Sequence, residues 1–200
     1  MLTIESVPGH PDFRALGAID GLWVDLRYAT PDNFMGVDLY SPFDCAWIHR
    51  DAATLLEKVV AALRDLHPAL RLVVLDALRP QRVQERIWTV VAGTRMEAYL
   101  ANPERGSIHS FGMAVDVTLA TEQGERLDMG TPFDDLTERS HPALEARFLA
   151  SKELTREHVA NRTMLRDAMT TAGWRGISSE WWHFDGGDRQ RIRAEYARVL

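Results

Sequence analysis

One strand of the fold is indicated by the segment Gly112-Met113-Ala114-Val115-Asp116-Val117-Thr118-Leu119. After the glycine, hydrophobic residues at odd-numbered positions alternate with alanine, aspartate and threonine at even-numbered positions. Alternation with a period of two is typical of a β-strand with one apolar face. We therefore predict a strand here, with Asp116 on the face opposite Val115 and Val117. A carboxylate in a half-buried strand needs a partner, because burying an unpaired charge is costly.

The segments on both sides of this strand contain helix and strand patterns in irregular order. Hydrophobic periodicity, turn residues and helix stop signals predict helices over 51–66, from Pro80 to about Leu100, over 156–172 and over the last dozen residues. The same signals predict strands over 19–28, 71–78, 174–177 and 180–184, and a hairpin turn at 123–124 followed by a short return strand. This order favours an α+β fold, with a small, mostly antiparallel sheet flanked by helices. Two hundred residues suit one domain spanning 1–200.

Composition and charge argue against several classes of protein. The chain is 46% hydrophobic and 26% charged, which is ordinary for a globular protein. A net charge of −6 and the lack of a basic run argue against a nucleic-acid partner. The only cysteine, Cys45, allows neither an intramolecular disulfide nor a cysteine-based zinc site. We see no signal-peptide pattern and no apolar stretch near the roughly 20 residues of a membrane span, so we expect a cytoplasmic protein without a membrane partner.

Two histidines and one aspartate suggest a metal site at the sheet. His109 lies just before the predicted strand, Asp116 lies on it, and His183 lies in a later predicted strand. A catalytic zinc takes three nitrogen or oxygen ligands at about 2.0–2.2 Å and keeps one position open for water. Taken singly, the three residues also have ordinary interpretations, as a surface loop histidine, a solvated strand aspartate and a core histidine.

A carboxylate and an arginine could complete such a site. Glu180 precedes His183 by three residues and could act as a general base. On an ideal strand an offset of three places two side chains on opposite faces, so a bulge or a strand end is required. Arg79 follows the predicted strand 71–78 and could stabilise an oxyanion. The alternative interpretation of Arg79 is an ordinary surface arginine near the start of a helix, although the N-terminus of a helix does not favour a cation.

Two motifs in this order resemble the zinc D-alanyl-D-alanine dipeptidases, the family that includes vancomycin-resistance dipeptidases. They are Ser107-x-His109-x-x-Gly112-x-Ala114-x-Asp116 and Glu180-Trp181-Trp182-His183. The resemblance extends to 25–34, 76–81, 129–134 and 138–141, so it covers about residues 20–185. It implies an enzyme that hydrolyses the dipeptide D-Ala-D-Ala and similar D,D-dipeptides within a small, closed cavity.

The resemblance also implies roles for individual residues. One zinc ion per chain would be held by His109, Asp116 and His183. Glu180 would be the base, and Arg79 would steady the tetrahedral intermediate. Ser107 and Asp134 would hold the backbone and the free amine of the substrate.

The sequence departs from the family pattern at two positions. Leu78 stands before Arg79 where an aromatic residue is expected, and Phe111 stands after Ser110 where an arginine is common. Both departures bear on substrate preference more than on the chemistry. The charged C-terminal segment, which contains Arg193, has no assigned role.

Three alternatives to the dipeptidase prediction remain at this level. The first is a D,D- or L,D-carboxypeptidase that acts on larger peptidoglycan peptides. The second is a zinc-containing binding domain without catalysis, which would be expected to lack Glu180 or Arg79. The third is a structural zinc site, which normally needs four strong ligands where three are visible. The sequence does not predict an oligomeric state.

Overall fold

A computed structural model describes all 200 residues, which form seven strands and five α-helices joined by loops and short 3-10 helices. In chain order the elements are β1 (Phe13–Ala15), β2 (Trp23–Val24), β3 (Trp47–His49), α1 (Arg50–Leu66), β4 (Leu70–Asp76), α2 (Gln81–Val91), β5 (Ala114–Thr121), α3 (Glu145–Ala150), α4 (Arg156–Thr171), β6 (Arg175–Gly176), β7 (His183–Asp185) and α5 (Arg189–Glu195). The 3-10 helices span Ile4–Ser6, Leu16–Ala18, Arg27–Ala29, Arg95–Tyr99, Ile108–Phe111, Glu138–Ser140 and Pro142–Leu144.

The main sheet has five strands in the order β2-β4-β5-β7-β6. Only the β2–β4 pair is parallel, and every other neighbouring pair is antiparallel. The strands β1 and β3 form a separate antiparallel pair. The α+β class and the mostly antiparallel sheet are therefore confirmed. No helix combines the length and the apolar character that crossing a bilayer requires.

The register of the sheet aligns three polar residues across adjacent strands. Asp76 at the end of β4 is opposite Asp116 on β5, and Asp116 is opposite His183 at the start of β7. An irregularity in β4 between Val74 and Asp76 shifts the register just before this row. The antiparallel pairing thus brings residues that lie far apart in sequence to one place.

Helices α1 and α4 cover one side of the sheet. Along α1, Ala52, Leu56, Val59 and Leu63 recur at helical spacing, and each is at most 2% exposed. They belong to the larger of two main hydrophobic clusters, which also contains Leu165 on α4. The smaller cluster packs α2 against the N-terminal region. The helix predicted over 51–66 is confirmed, as is the one over 156–172.

Several predicted boundaries are wrong for local reasons. The strand predicted over 19–28 is only Trp23–Val24, and a 3-10 helix begins at Arg27. The helix from Pro80 ends at Val91, because Gly93 follows in the left-handed region with φ of 76°. The return strand after 123–124 is reduced to a single bridge between Ala120 and Arg126.

Other differences concern burial and missed elements. Strand β5 is buried on both faces except at its last residue, so the expectation of a half-buried strand is wrong, although Asp116 and Thr118 do lie on the face opposite the larger apolar residues. The last strand begins at His183, not at residue 180. The elements β1, β3 and α3 were not predicted. The first two strands are three residues long and α3 is six, too short for a clear periodicity.

A buried arginine on α4 ties down the loop between β5 and α3. The side chain of Arg162, which is 1% exposed as a residue, donates from Nε to the carbonyl oxygen of Met129 at 2.6 Å. Its Nη1 donates to the carbonyl oxygen of Arg139 at 3.0 Å, and its Nη2 donates to Thr131 Oγ1 at 3.3 Å. The two ends of the loop 129–139, which carries Asp134 near its middle, are therefore both hydrogen-bonded to the Arg162 side chain.

We predict that Arg162→Met lowers the free energy of unfolding by about 3 kcal/mol, because it leaves the buried carbonyl oxygen of Met129 without a donor and removes two further hydrogen bonds. Urea denaturation followed by tryptophan fluorescence measures this loss. The matched control is Arg156→Met at the exposed start of the same helix, which should stay within about 0.5 kcal/mol of the wild type. Equal stability of the two variants would contradict the assignment.

Candidate metal centre

Three predicted ligands converge at the row of aligned strand residues. His109 lies in the 3-10 helix before β5, and Asp116 and His183 lie on β5 and β7. All three are buried, and their ligand atoms lie within 4.8 Å of one another. Gly112, between His109 and β5, lets the chain pack closely against β3, since a Cβ there would lie 2.8 Å from the backbone nitrogen of His49. Its φ of 63° also favours glycine.

The spacing of the three atoms fits a tetrahedral metal site. His109 Nε2 is 3.2 Å from His183 Nδ1 and 3.5 Å from Asp116 Oδ1, and the latter two atoms are 3.0 Å apart. Ligands at about 2.0–2.1 Å from a tetrahedral ion lie about 3.3–3.4 Å from one another. The cluster therefore has the size and the donor types that a divalent ion such as zinc takes.

Outer hydrogen bonds fix which nitrogen of each histidine faces the cluster. His109 Nδ1 donates to the carbonyl oxygen of Ala77 at 2.8 Å, which leaves Nε2 free to bind. His183 Nε2 donates to Asp185 Oδ1 at 3.0 Å, which leaves Nδ1. Asp185 in turn accepts from Arg189 Nε at 2.5 Å. Such second partners orient metal-binding histidines and raise their basicity.

The electrostatics of the cluster favour a cation. Burial lowers the pKa of His183, but hydrogen bonds to Asp116 and Asp185 outweigh burial and raise it to about 10. Burial likewise raises the pKa of Asp116, whereas His109 and His183 hold it well below its usual range. Two carboxylates around one imidazole thus attract positive charge, as a proton or as a metal ion.

Arg79 lies beside the cluster and is 7% exposed, so the alternative of a surface arginine is wrong. Its Nε and Nη2 donate to Asp76 Oδ2 at 2.9 and 2.6 Å, and its Nη1 donates to Gln84 Oε1 at 3.1 Å. Its Nη2 is also 3.5 Å from Asp116 Oδ2. The guanidinium carbon lies 4.8 Å from the centre of the Tyr28 ring. These contacts hold one cation in a fixed position next to the metal ligands.

A cavity of about 360 Å³ opens onto the cluster. Its wall includes every predicted site residue, namely Arg79, Ser107, His109, Asp116, Asp134, Glu180 and His183. The volume is near the lower end of the range of about 300–1,000 Å³ for ligand pockets. The departures at Leu78 and Phe111 are buried outside this wall.

Two acidic residues of the wall have unusual environments. Asp134 adopts φ of 62°, accepts from the Tyr28 hydroxyl at 3.2 Å through Oδ1, and leaves its buried Oδ2 without a partner. Burial, followed by the charge of Asp116, raises the pKa of Asp134 well above its usual range. Burial raises the pKa of Glu180 to about 7. Because Glu180 precedes β7, the opposite-face problem of an ideal strand does not arise.

Some residues around the site were missed in the sequence. Asp76 and Asp185 were not assigned a role, although each contacts a predicted site residue. A signal existed for Asp185, since residues two apart on a strand share a face, and it follows His183 by two. Tyr28 lies in the matched stretch 25–34, near the site in the family it resembles, but its contact with Asp134 could not be predicted, because it joins residues 106 positions apart.

Comparison with known proteins identifies the family. The model of peptidase family M15, described as D-ala-D-ala dipeptidase, matches residues 13–199. The D-alanyl-D-alanine dipeptidase of Escherichia coli K12 is 38% identical over 164 residues, which cover 82% of this chain and 78% of that protein. The D-alanyl-D-alanine dipeptidases of Enterococcus faecium and Enterococcus faecalis V583 are 31% and 30% identical, each over 83% of this chain and 86% of the relative. With nearly the whole chain matched, the protein belongs to peptidase family M15, the D-alanyl-D-alanine dipeptidases.

Proposed function

We propose that this protein is a zinc-dependent dipeptidase that hydrolyses free D-Ala-D-Ala and similar D,D-dipeptides to amino acids. The observation that carries the proposal is one small cavity, in which a buried His/Asp/His cluster, Arg79 and an unpartnered oxygen of Asp134 meet. Family membership supports the same reaction. Such an enzyme would deplete a cell-wall precursor or recover alanine from wall turnover.

One zinc ion per chain would be held by His109, Asp116 and His183. When bound, zinc lowers the pKa of a water ligand toward about 7 and polarises a carbonyl group. The cluster offers three protein ligands, whereas a structural zinc site is closed by four. The number of ligands therefore favours a catalytic role.

Glu180 would act as the general base. Its carboxylate would accept a proton from the attacking water and deliver it to the departing amino group. Burial raises its pKa to about 7, which suits a group that both takes and returns a proton near neutral pH. Its presence argues against a binding domain that has lost catalysis.

Arg79 would stabilise the negative charge that develops on the carbonyl oxygen of the scissile bond. A preorganised cation in a site shielded from water is effective in this role, because it needs no reorganisation during the reaction. Asp76 and Gln84 supply the preorganisation, since they fix the guanidinium from two sides.

Asp134 would bind the free ammonium group of the substrate, and Ser107 would contact the substrate backbone. The buried Oδ2 of Asp134 has no donor within the protein. An ammonium would stabilise the ionised form of this carboxyl group, which burial disfavours, whereas the neutral amide of a longer peptide would not. This difference favours a dipeptidase over the alternative, a D,D- or L,D-carboxypeptidase that acts on larger wall peptides.

The first test measures alanine release from D-Ala-D-Ala by the zinc-loaded protein. We expect turnover of the free dipeptide, and we expect Glu180→Gln to reduce kcat by about 10²–10⁴-fold. Glu157→Gln, at an exposed position of α4, is the control and should retain full activity. Turnover of N-acetylated or longer substrates alone would support the carboxypeptidase alternative. Zinc binding without any turnover would support the binding domain.

A second variant tests the amine site. We expect Asp134→Asn to lower kcat/KM for D-Ala-D-Ala by about 10–100-fold, since a charge-assisted hydrogen bond to the ammonium is lost. Steady-state kinetics on the free and the N-acetylated dipeptide measure the effect. The neighbouring Asp135 lies outside the cavity wall, so Asp135→Asn serves as control. A variant that discriminates between the two substrates as strongly as the wild type would refute the role of Asp134.

A third variant tests the metal site. We expect Asp185→Ala to weaken zinc binding by about 10–100-fold, because His183 loses the acceptor that orients its ring. Competition with a chromophoric chelator measures the affinity, and elemental analysis of the wild type should give one zinc per chain. The exposed Asp167→Ala on α4 is the control. Unchanged zinc affinity in Asp185→Ala would show that this outer contact does not support the metal.

A further inference from the structure

Three arginines that the proposed mechanism does not use also line the cavity. Arg189 and Arg193 come from α5, and Arg105 comes from the loop before Ser107. Arg191, on the same helix, does not reach the cavity, because it pairs with Glu195 at 2.7 Å and its side chain is 69% exposed. The charged C-terminal helix therefore presents some arginines to the cavity and others to solvent.

The arginines of the cavity differ in how their charges are balanced. Arg79 pairs with the buried carboxylate of Asp76 at 2.6 Å, and Arg189 pairs with that of Asp185 at 2.5 Å. Arg105 and Arg193 have no carboxylate oxygen within 4.0 Å of their guanidinium nitrogens. Two positive charges at the cavity thus lack a counterion within the protein.

Arg193 is oriented by neutral acceptors. Its Nε and Nη2 donate to the carbonyl oxygen of Gly106 at 3.2 and 3.1 Å, and its Nη1 donates to that of Arg189 at 3.4 Å. A guanidinium has five N–H donors, so two remain for a ligand. Burial lowers the pKa of Arg193, and repulsion from Arg105 and Arg189 lowers it further. The position therefore combines a fixed geometry with a surplus of positive charge.

We infer that Arg193, assisted by Arg105, binds the C-terminal carboxylate of the substrate. This inference rests on the proposed dipeptidase function and adds the recognition of the second substrate terminus. A free dipeptide carries one ammonium and one carboxylate, and the cavity offers one unpartnered oxygen of Asp134 and two arginines without counterions. Planar guanidinium groups bind carboxylates through paired hydrogen bonds, which makes arginine suited to this contact.

A purely structural role of Arg193 is the competing interpretation. Its bonds to Gly106 fix the loop that leads into Ser107 and His109, so its loss could disturb the whole site. The two interpretations differ in what they predict for a substrate without a carboxylate. A loop-fixing residue affects all substrates equally, whereas a carboxylate-binding residue affects only those that carry the charge.

The experiment compares kcat/KM for D-Ala-D-Ala with that for its C-terminal amide, using the zinc-loaded full chain. We expect the wild type to prefer the free acid. We expect Arg193→Gln to lower kcat/KM for the acid by about 10–100-fold, mainly through KM, and to leave the amide nearly unchanged. Arg191→Gln on the same helix is the matched control and should behave as the wild type with both substrates.

Two further measurements keep the result decisive. Arg105→Gln removes a side chain that makes no hydrogen bond, so it tests the carboxylate contact without disturbing the loop, and a several-fold loss confined to the acid is expected. Calorimetric binding of acid and amide to Glu180→Gln, with and without Arg193→Gln, tests the contact without turnover. Equal losses for acid and amide in Arg193→Gln, or a wild type without preference for the acid, would overturn the inference. A wild type that hydrolyses neither substrate would instead refute the proposed function.

Discussion

The site depends on the hydrogen bonds of one buried carboxylate, that of Asp76. It is 0% exposed, so it must be fully hydrogen-bonded to be tolerated. Its Oδ2 receives both donors from Arg79, and its Oδ1 accepts from the Tyr40 hydroxyl and from the backbone nitrogen of Ala77 at 2.9 Å. Because Ala77 also supplies the carbonyl oxygen that orients His109, one short segment at the end of β4 positions both Arg79 and a proposed metal ligand. The N-terminal region contributes to the same network, since Tyr40 comes from a loop before β3.

The register of the sheet places this local network beside the candidate metal centre. Asp76, Asp116 and His183 lie opposite one another on three adjacent strands. A slip of one residue in the pairing of β5 with β4 or β7 would turn Asp116 to the other face of the sheet and separate it from His109 and His183. Such a slip would also move Val115, Val117 and Leu119 out of the hydrophobic cluster that they share with α1 and α4. The same register therefore determines both the packing of the core and the geometry of the proposed metal ligands.

The sequence predicts the parts of the site that depend on chemistry and periodicity. The period of two in β5 predicts Asp116 as a strand residue, and residue types alone suggest His109 and His183 as its partners. The position of Glu180 could not be derived, because the start of β7 depends on pairing with β5 and not on local pattern. The role of Arg162 was equally out of reach, since its acceptors lie 23 to 33 positions away on a loop. Such contacts depend on the tertiary structure, so the hydrophobic periodicity of the sequence does not predict them.

Selectivity for a free dipeptide does not follow from the metal ligands. A carboxypeptidase with the same His/Asp/His cluster would also meet a C-terminal carboxylate, so an arginine for that group would serve both reactions. In the proposed reaction the distinction would lie at Asp134, where a left-handed backbone holds a carboxylate oxygen in a buried position without a donor. Burial disfavours the ionised form of this carboxyl group, and Arg79, whose charge lowers its pKa, is already paired with Asp76. A substrate ammonium would stabilise the ionised carboxylate, whereas the neutral amide of a longer peptide would not. Under the proposed function, the chain would select substrate length through the energetic cost of this one unsatisfied group, and the loop that carries Asp134, attached at both ends to Arg162, would maintain that cost.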